Sequence, residues 1–89
     1  MLEEIERVKN QGYNPVIFID DLLIDNIEIK ELIKKAKKLK IEIFTSSTIE
    51  KLRKIRKAYI FRYGYISPFY ETSIKRKKEI IVSGNLKID

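Results

Sequence analysis

The sequence predicts a small layered α/β domain on a mainly parallel sheet, and three features of the chain point to it. Strand-length apolar runs alternate with amphipathic helical segments through most of the 89 residues. The first run, Val16-Ile17-Phe18-Ile19, has no polar interruption, as a strand covered on both faces requires. The segments between runs are long enough to cross over a sheet, which implies right-handed βαβ units rather than hairpins. A chain of this length builds one core, so residues 1–89 are expected to form a single domain.

Leu2, Ile5 and Val8 lie three apart in a charged run, giving a short amphipathic helix that ends near Gly12. Asn14-Pro15 breaks it, and a central strand follows near 16–20. Asp25-Asn26-Ile27-Glu28 fits a capping box with Asp25 as the cap, opening a helix whose apolar face is Ile29, Leu32, Ile33, Ala36 and Leu39. Ile41 to Thr45 reads as a second strand. Ser47-Thr48-Ile49-Glu50 fits a second capping box, opening a basic helix with Leu52 and Ile55 inside. A third strand is expected near 58–62, then an aromatic loop from Tyr63 to Tyr70. Lys78 to Ser83 and Leu86 to Ile88, around Gly84-Asn85, read as a C-terminal antiparallel hairpin.

Composition removes much chemistry. The chain has neither Cys nor His, so thiolate metal sites, disulfides and His-based acid–base catalysis are excluded. No apolar run approaches a membrane span, and the acidic start Met1-Leu2-Glu3-Glu4 has the wrong sign for a signal peptide, so a cytoplasmic protein is expected. Nine Glu against four Asp, with abundant Ile and Lys, is a bias seen in hyperthermophile proteins, and an AT-rich genome produces the same. The net charge of +6 is unevenly spread, being −5 over residues 1–29 and +11 over residues 30–89. Either the acidic and basic parts pack together, or a basic surface faces a polyanion.

Ligands of open α/β sheets sit beyond the carboxyl ends of the strands. Those ends hold Asp20, Asp21 and Asp25 after the first strand, and Thr45, Ser46, Ser47 and Thr48 after the second. Asp20 and Asp21 could ligate magnesium, and the Ser47 helix start could hold a phosphate. The simpler reading makes Asp25 and Ser47 helix caps and the others solvated strand-end residues.

Two families are similar in part. Val16-Ile17-Phe18-Ile19-Asp20-Asp21 resembles the Walker B strand of RecA-like ATPases, Ile41 to Ser46 their next strand, and Glu79 to Asn85 the late hairpin of their motor domains. Glycines only at 12, 64 and 84 allow no phosphate-binding loop, so this resemblance implies a nucleotide-free regulatory subunit that docks a protein partner. Residues 2–56 also resemble the L7Ae/L30e RNA-binding family, without its early glycine-bearing RNA-contact turn.

Basic residues interleaved with aromatics form the strongest constellation: Arg53, Lys54, Arg56, Lys57, Arg62, Tyr63, Tyr65, Lys75, Arg76, Lys77 and Lys78. Cations attract phosphates and exposed rings stack bases, so a non-catalytic RNA- or DNA-binding protein is the leading expectation. The competing reading places Tyr63 and Tyr65 at the core edge and Lys75 to Lys78 on a charged edge strand. Regulatory docking of a protein partner is one alternative, and magnesium-dependent phosphoryl transfer or nuclease action on Asp20 and Asp21 is another. No catalysis is expected, because a metal-assisted reaction needs carboxylates converging from several elements. An exposed sheet edge suggests self-association, such as a homodimer.

Overall fold

The computed structural model describes residues 2–75 and 80–86. Its elements in chain order are α1 (Leu2–Asn10), β1 (Asn14–Ile19), a 3-10 turn (Asp21–Leu23), α2 (Ile27–Lys38), β2 (Ile43–Phe44), a 3-10 helix (Ile49–Lys54), β3 (Ala58–Tyr63), α3 (Pro68–Lys75) and β4 (Ile81–Leu86). The four strands form one sheet in the order β2-β1-β3-β4, and every pairing is parallel. The expected α/β class and the central position of the first strand therefore hold.

Alternation along the strands divides the interior into two layers. Val16, Phe18, Ala58 and Ile60 face the 3-10 helix through Ile49 and Leu52, with Tyr70 of α3 against the same cluster. Ile17, Ile19 and Phe61 face Ile5 and Val8 of α1 and Ile29, Leu32 and Ala36 of α2. The crossover from β1 to β2 thus runs over one face, and the later crossovers return over the other. Changing direction and face together keeps the crossovers of one hand, as the strand twist demands. Val16 to Ile19 are all buried, because β1 has a paired strand on each side and packed layers above and below.

Among the described residues no hairpin turn forms at Gly84-Asn85. β4 continues through Gly84-Asn85 and runs parallel to β3. Ile60 pairs with Val82 and Arg62 with Asn85, so Ser83 and Gly84 stand opposite the single residue Phe61. The glycine read as a turn marks a bulge instead. A parallel return needs a crossover, and α3 supplies it, taking in the last three residues of the segment read as an aromatic loop, with Pro68 at the first helical position where no amide partner is lost. Residues 76–79 and 87–89, which include Lys78 and Glu79 of the expected hairpin, lie outside the described residues.

Two caps also differ. α2 is capped by Asn26, whose side-chain oxygen accepts from the Glu28 and Ile29 amides at 2.8 and 3.2 Å, one residue after Asp25. The second capping box does not form. The Thr48 hydroxyl turns back to accept the Thr45 amide at 2.9 Å, and the segment that follows is 3-10 rather than α.

α1 and α2 end in the same Schellman geometry. Tyr13 N–H donates to Val8 and Gly12 N–H to Lys9 after α1; Ile41 N–H donates to Ala36 and Lys40 N–H to Lys37 after α2. The left-handed residue is Gly12 in the first case, at φ 89°, and Lys40 in the second, at φ 59°. Among the described residues no helix is long and apolar enough to cross a membrane.

Candidate nucleic-acid interface

In an all-parallel sheet each preceding or crossover helix runs against the strands, so helix C-termini collect at the amino edge of the sheet. Helix C-termini attract cations and N-termini attract anions. The chain follows that rule: α1 opens with Glu3 and Glu4 and closes with Arg7 and Lys9, α2 opens with Glu28 and closes with Lys35, Lys37 and Lys38, and the 3-10 helix closes with Lys51, Arg53 and Lys54. Parallel topology turns three local preferences into one global polarity. Bases gather at the amino edge and acids at the carboxyl edge.

The amino edge holds an open cleft of about 350 Å³ lined by Lys9, Asn14, Pro15, Val16, Lys40, Ile41, Glu42 and Ile55. Three separate chain reversals meet there. Asn14 joins two of them: its side-chain amide donates to the Arg56 carbonyl at 2.6 Å and its N–H to the Lys57 carbonyl at 2.8 Å. Lys57, at φ 50°, is held left-handed like Lys40. Arg53, Lys54, Arg56 and Lys57 are exposed, as are Lys9, Lys37, Lys38 and Lys40. Arg53 pairs with Glu50 at 3.4 Å, and among the described residues the other seven make no ion pair.

The remaining predicted contact residues are divided. Arg62 and Tyr63 are half-buried near the carboxyl end of β3, and Tyr65 is exposed just beyond it. Burial pushes the Tyr63 phenol above its ordinary pKa, and the Glu4 carboxylate adds to the rise. Lys75 ends α3 on the side of the amino edge. Arg76, Lys77 and Lys78 lie outside the described residues. The grouping by chain proximity joined Arg56 to Tyr65, which the fold places at opposite ends of β3, and left out Lys9, Lys37, Lys38 and Lys40, which lie at helix C-terminal ends or just after them. The signal available was the helix-by-helix repetition of acid first and base last.

At the carboxyl edge, the strand ends at Ile19 and Asp20 caps the following turn. One Asp20 oxygen accepts the Leu22 amide and the other the Tyr65 amide, each at 3.0 Å. Gly64 lies against the same side chain: a Cβ there would come within 2.4 Å of the Asp20 Cβ and 2.9 Å of Leu23 Cδ1. The gap between β1 and β3, where doubly wound sheets hold their ligands, is thus filled by Asp20, Leu23 and the Gly64 backbone. Asp21 is exposed in the turn. Among the described residues no three His, Cys, Asp or Glu side chains converge on a metal position. The Thr45 hydroxyl lies 2.9 Å from that of Ser47, so the second loop also spends its polar groups on its own turn.

Comparison with known protein families, curated proteins and solved structures returns no match.

Proposed function

We propose that this protein binds nucleic acid without catalysis, holding the phosphate backbone along the amino edge of its sheet. One observation carries the reading: Lys9 and Lys40 line one cleft from two chain reversals, and Asn14 in the same lining is bonded to the backbone of Arg56 and Lys57 in a third. Bases converging from distant parts of a chain make a surface rather than a charged stretch, and phosphates are the polyanion such a surface attracts. The most exposed rings, Tyr65 and Phe69, belong to the opposite edge, so base stacking contributes little and affinity is chiefly electrostatic. Recognition then depends weakly on sequence and steeply on salt. The filled gap between β1 and β3, and the use of both Asp20 oxygens by backbone amides, support a binding role over magnesium-dependent chemistry.

The test is anisotropy of labelled single-stranded RNA, single-stranded DNA and duplex DNA across a salt series. Binding at low salt that weakens with salt, and falls when Lys40 and Arg56 are changed to Gln, supports the proposal. Absence of binding at low salt, or binding insensitive to those changes, overturns it.

A further inference from the structure

The two edges of the sheet are complementary to each other. Five of the large exposed apolar side chains follow the carboxyl ends of two strands: Leu22, Ile24 and Ile27 between β1 and the first turn of α2, and Tyr65 and Phe69 between β3 and the first turn of α3. Leu22 is 89% exposed and Ile27 75%, so the fold leaves a cluster of apolar surface uncovered rather than one stray residue. Acids flank it, with Asp21 before Leu22 and Asp25 and Glu28 around Ile27. The amino-edge cleft has the opposite character. Four of its lining residues, Pro15, Val16, Ile41 and Ile55, are apolar, and Lys9 and Lys40 outnumber the single acid Glu42 beside Asn14.

We infer that the carboxyl edge of one copy docks on the amino edge of a second, with Leu22 entering the cleft and Asp21 and Asp25 meeting Lys9 and Lys40. A two-fold pairing of carboxyl edges would set the acids of one copy against those of the other, which opposes that arrangement. A head-to-tail contact matches apolar to apolar and acid to base at once. It uses different surfaces on the two partners, so it propagates unless rotation closes a ring. The proposal goes beyond nucleic-acid binding and shares Lys9 and Lys40 with it, so a docked copy and a phosphate backbone exclude each other at this cleft; self-association is therefore measured without nucleic acid.

The test pairs two variants of the full chain. Leu22→Lys with Ile27→Lys removes the apolar edge and leaves the cleft; Lys9→Glu with Lys40→Glu reverses the charge of the cleft and leaves the apolar edge. All four positions are solvent-facing. In sedimentation velocity at low salt, wild type is expected to associate with rising concentration and each variant alone to remain monomeric. Mixed, the variants are expected to form a one-to-one pair that grows no further, since each retains the half the other lacks. That pairing also shows that both variants are folded. A wild type that stays monomeric, a variant that still self-associates, or a mixture that fails to pair overturns the proposal; a closed dimer lost in the apolar-edge variant but kept in the cleft variant identifies the two-fold arrangement instead.

Discussion

Gly64 and Asp20 are in direct contact across the ends of β3 and β1, with the Asp20 carboxylate bonded to the amide of Tyr65 immediately after the glycine. The two strands are latched where their ladder stops. Gly64 also has φ 90°, in the region side chains disfavour, so two constraints fall on one residue. Gly64→Ala is expected to destabilise the protein by roughly 2–4 kcal/mol, from backbone strain and displacement of Asp20. Urea unfolding measures it.

Gly12 and Lys40 occupy the same left-handed position after α1 and α2. No atom lies within 4 Å of a Cβ built on Gly12, so Gly12→Ala suffers only conformational strain, about 1 kcal/mol. Lys40→Gly relieves that strain at the second site but loosens the unfolded chain, for a net stabilisation of about 0.5 kcal/mol. Opposite shifts in melting temperature are the expected result.

Tyr63 gives the protein a pH dependence at the alkaline end. Its pKa is raised in the folded state, first by burial and then by Glu4. The native state therefore holds the phenolic proton more tightly than the unfolded chain, whose tyrosine titrates near 10.0. Stability associated with this proton is complete below that pH and is lost as pH rises through the folded-state value. Tyr63→Phe is expected to flatten the alkaline decline in melting temperature relative to wild type.

If phosphates lie along the amino edge, substitutions there act on the salt dependence. Arg56→Gln and Lys57→Gln are each expected to lower affinity and to reduce the slope of log affinity against log salt by up to about 1. Tyr65→Ala, at the far edge, is expected to leave that slope unchanged. Equal loss of slope at both edges would place the nucleic acid elsewhere.

The sheet was legible in the sequence because Val16 to Ile19 carry no polar residue, a pattern that needs cover on both faces. Turn chemistry misled where two structures share it. Gly84-Asn85 suits a tight turn, and it also suits a bulge in a parallel strand; only the pairing with β3 decides between them. Thr48 shows a similar competition, since its hydroxyl can cap the segment ahead or close the loop behind, and it closes the loop. The basic character of the site was legible as a sum, but its position was not. Lys9 lines the same cleft as Asn14, and only the hydrogen bond from Asn14 to the Arg56 carbonyl and the parallel order of the strands bring that distant part of the chain to this edge.

The all-parallel pairing of the four strands also sets the order in which the chain acquires structure. Asn14 reaches Arg56 across 42 residues and Asp20 reaches Tyr65 across 45, so the central strand gains its longest partner only after more than half the chain is available. Loop closure must precede any reward from β1–β3 pairing, which slows folding relative to a helical protein of this size. During synthesis the apolar stretch Val16 to Ile19 emerges well before Ala58 to Tyr63 can cover its flank. The unaccompanied first strand is then an apolar segment open to aggregation, and the next helix to emerge, α2, is rich in lysine.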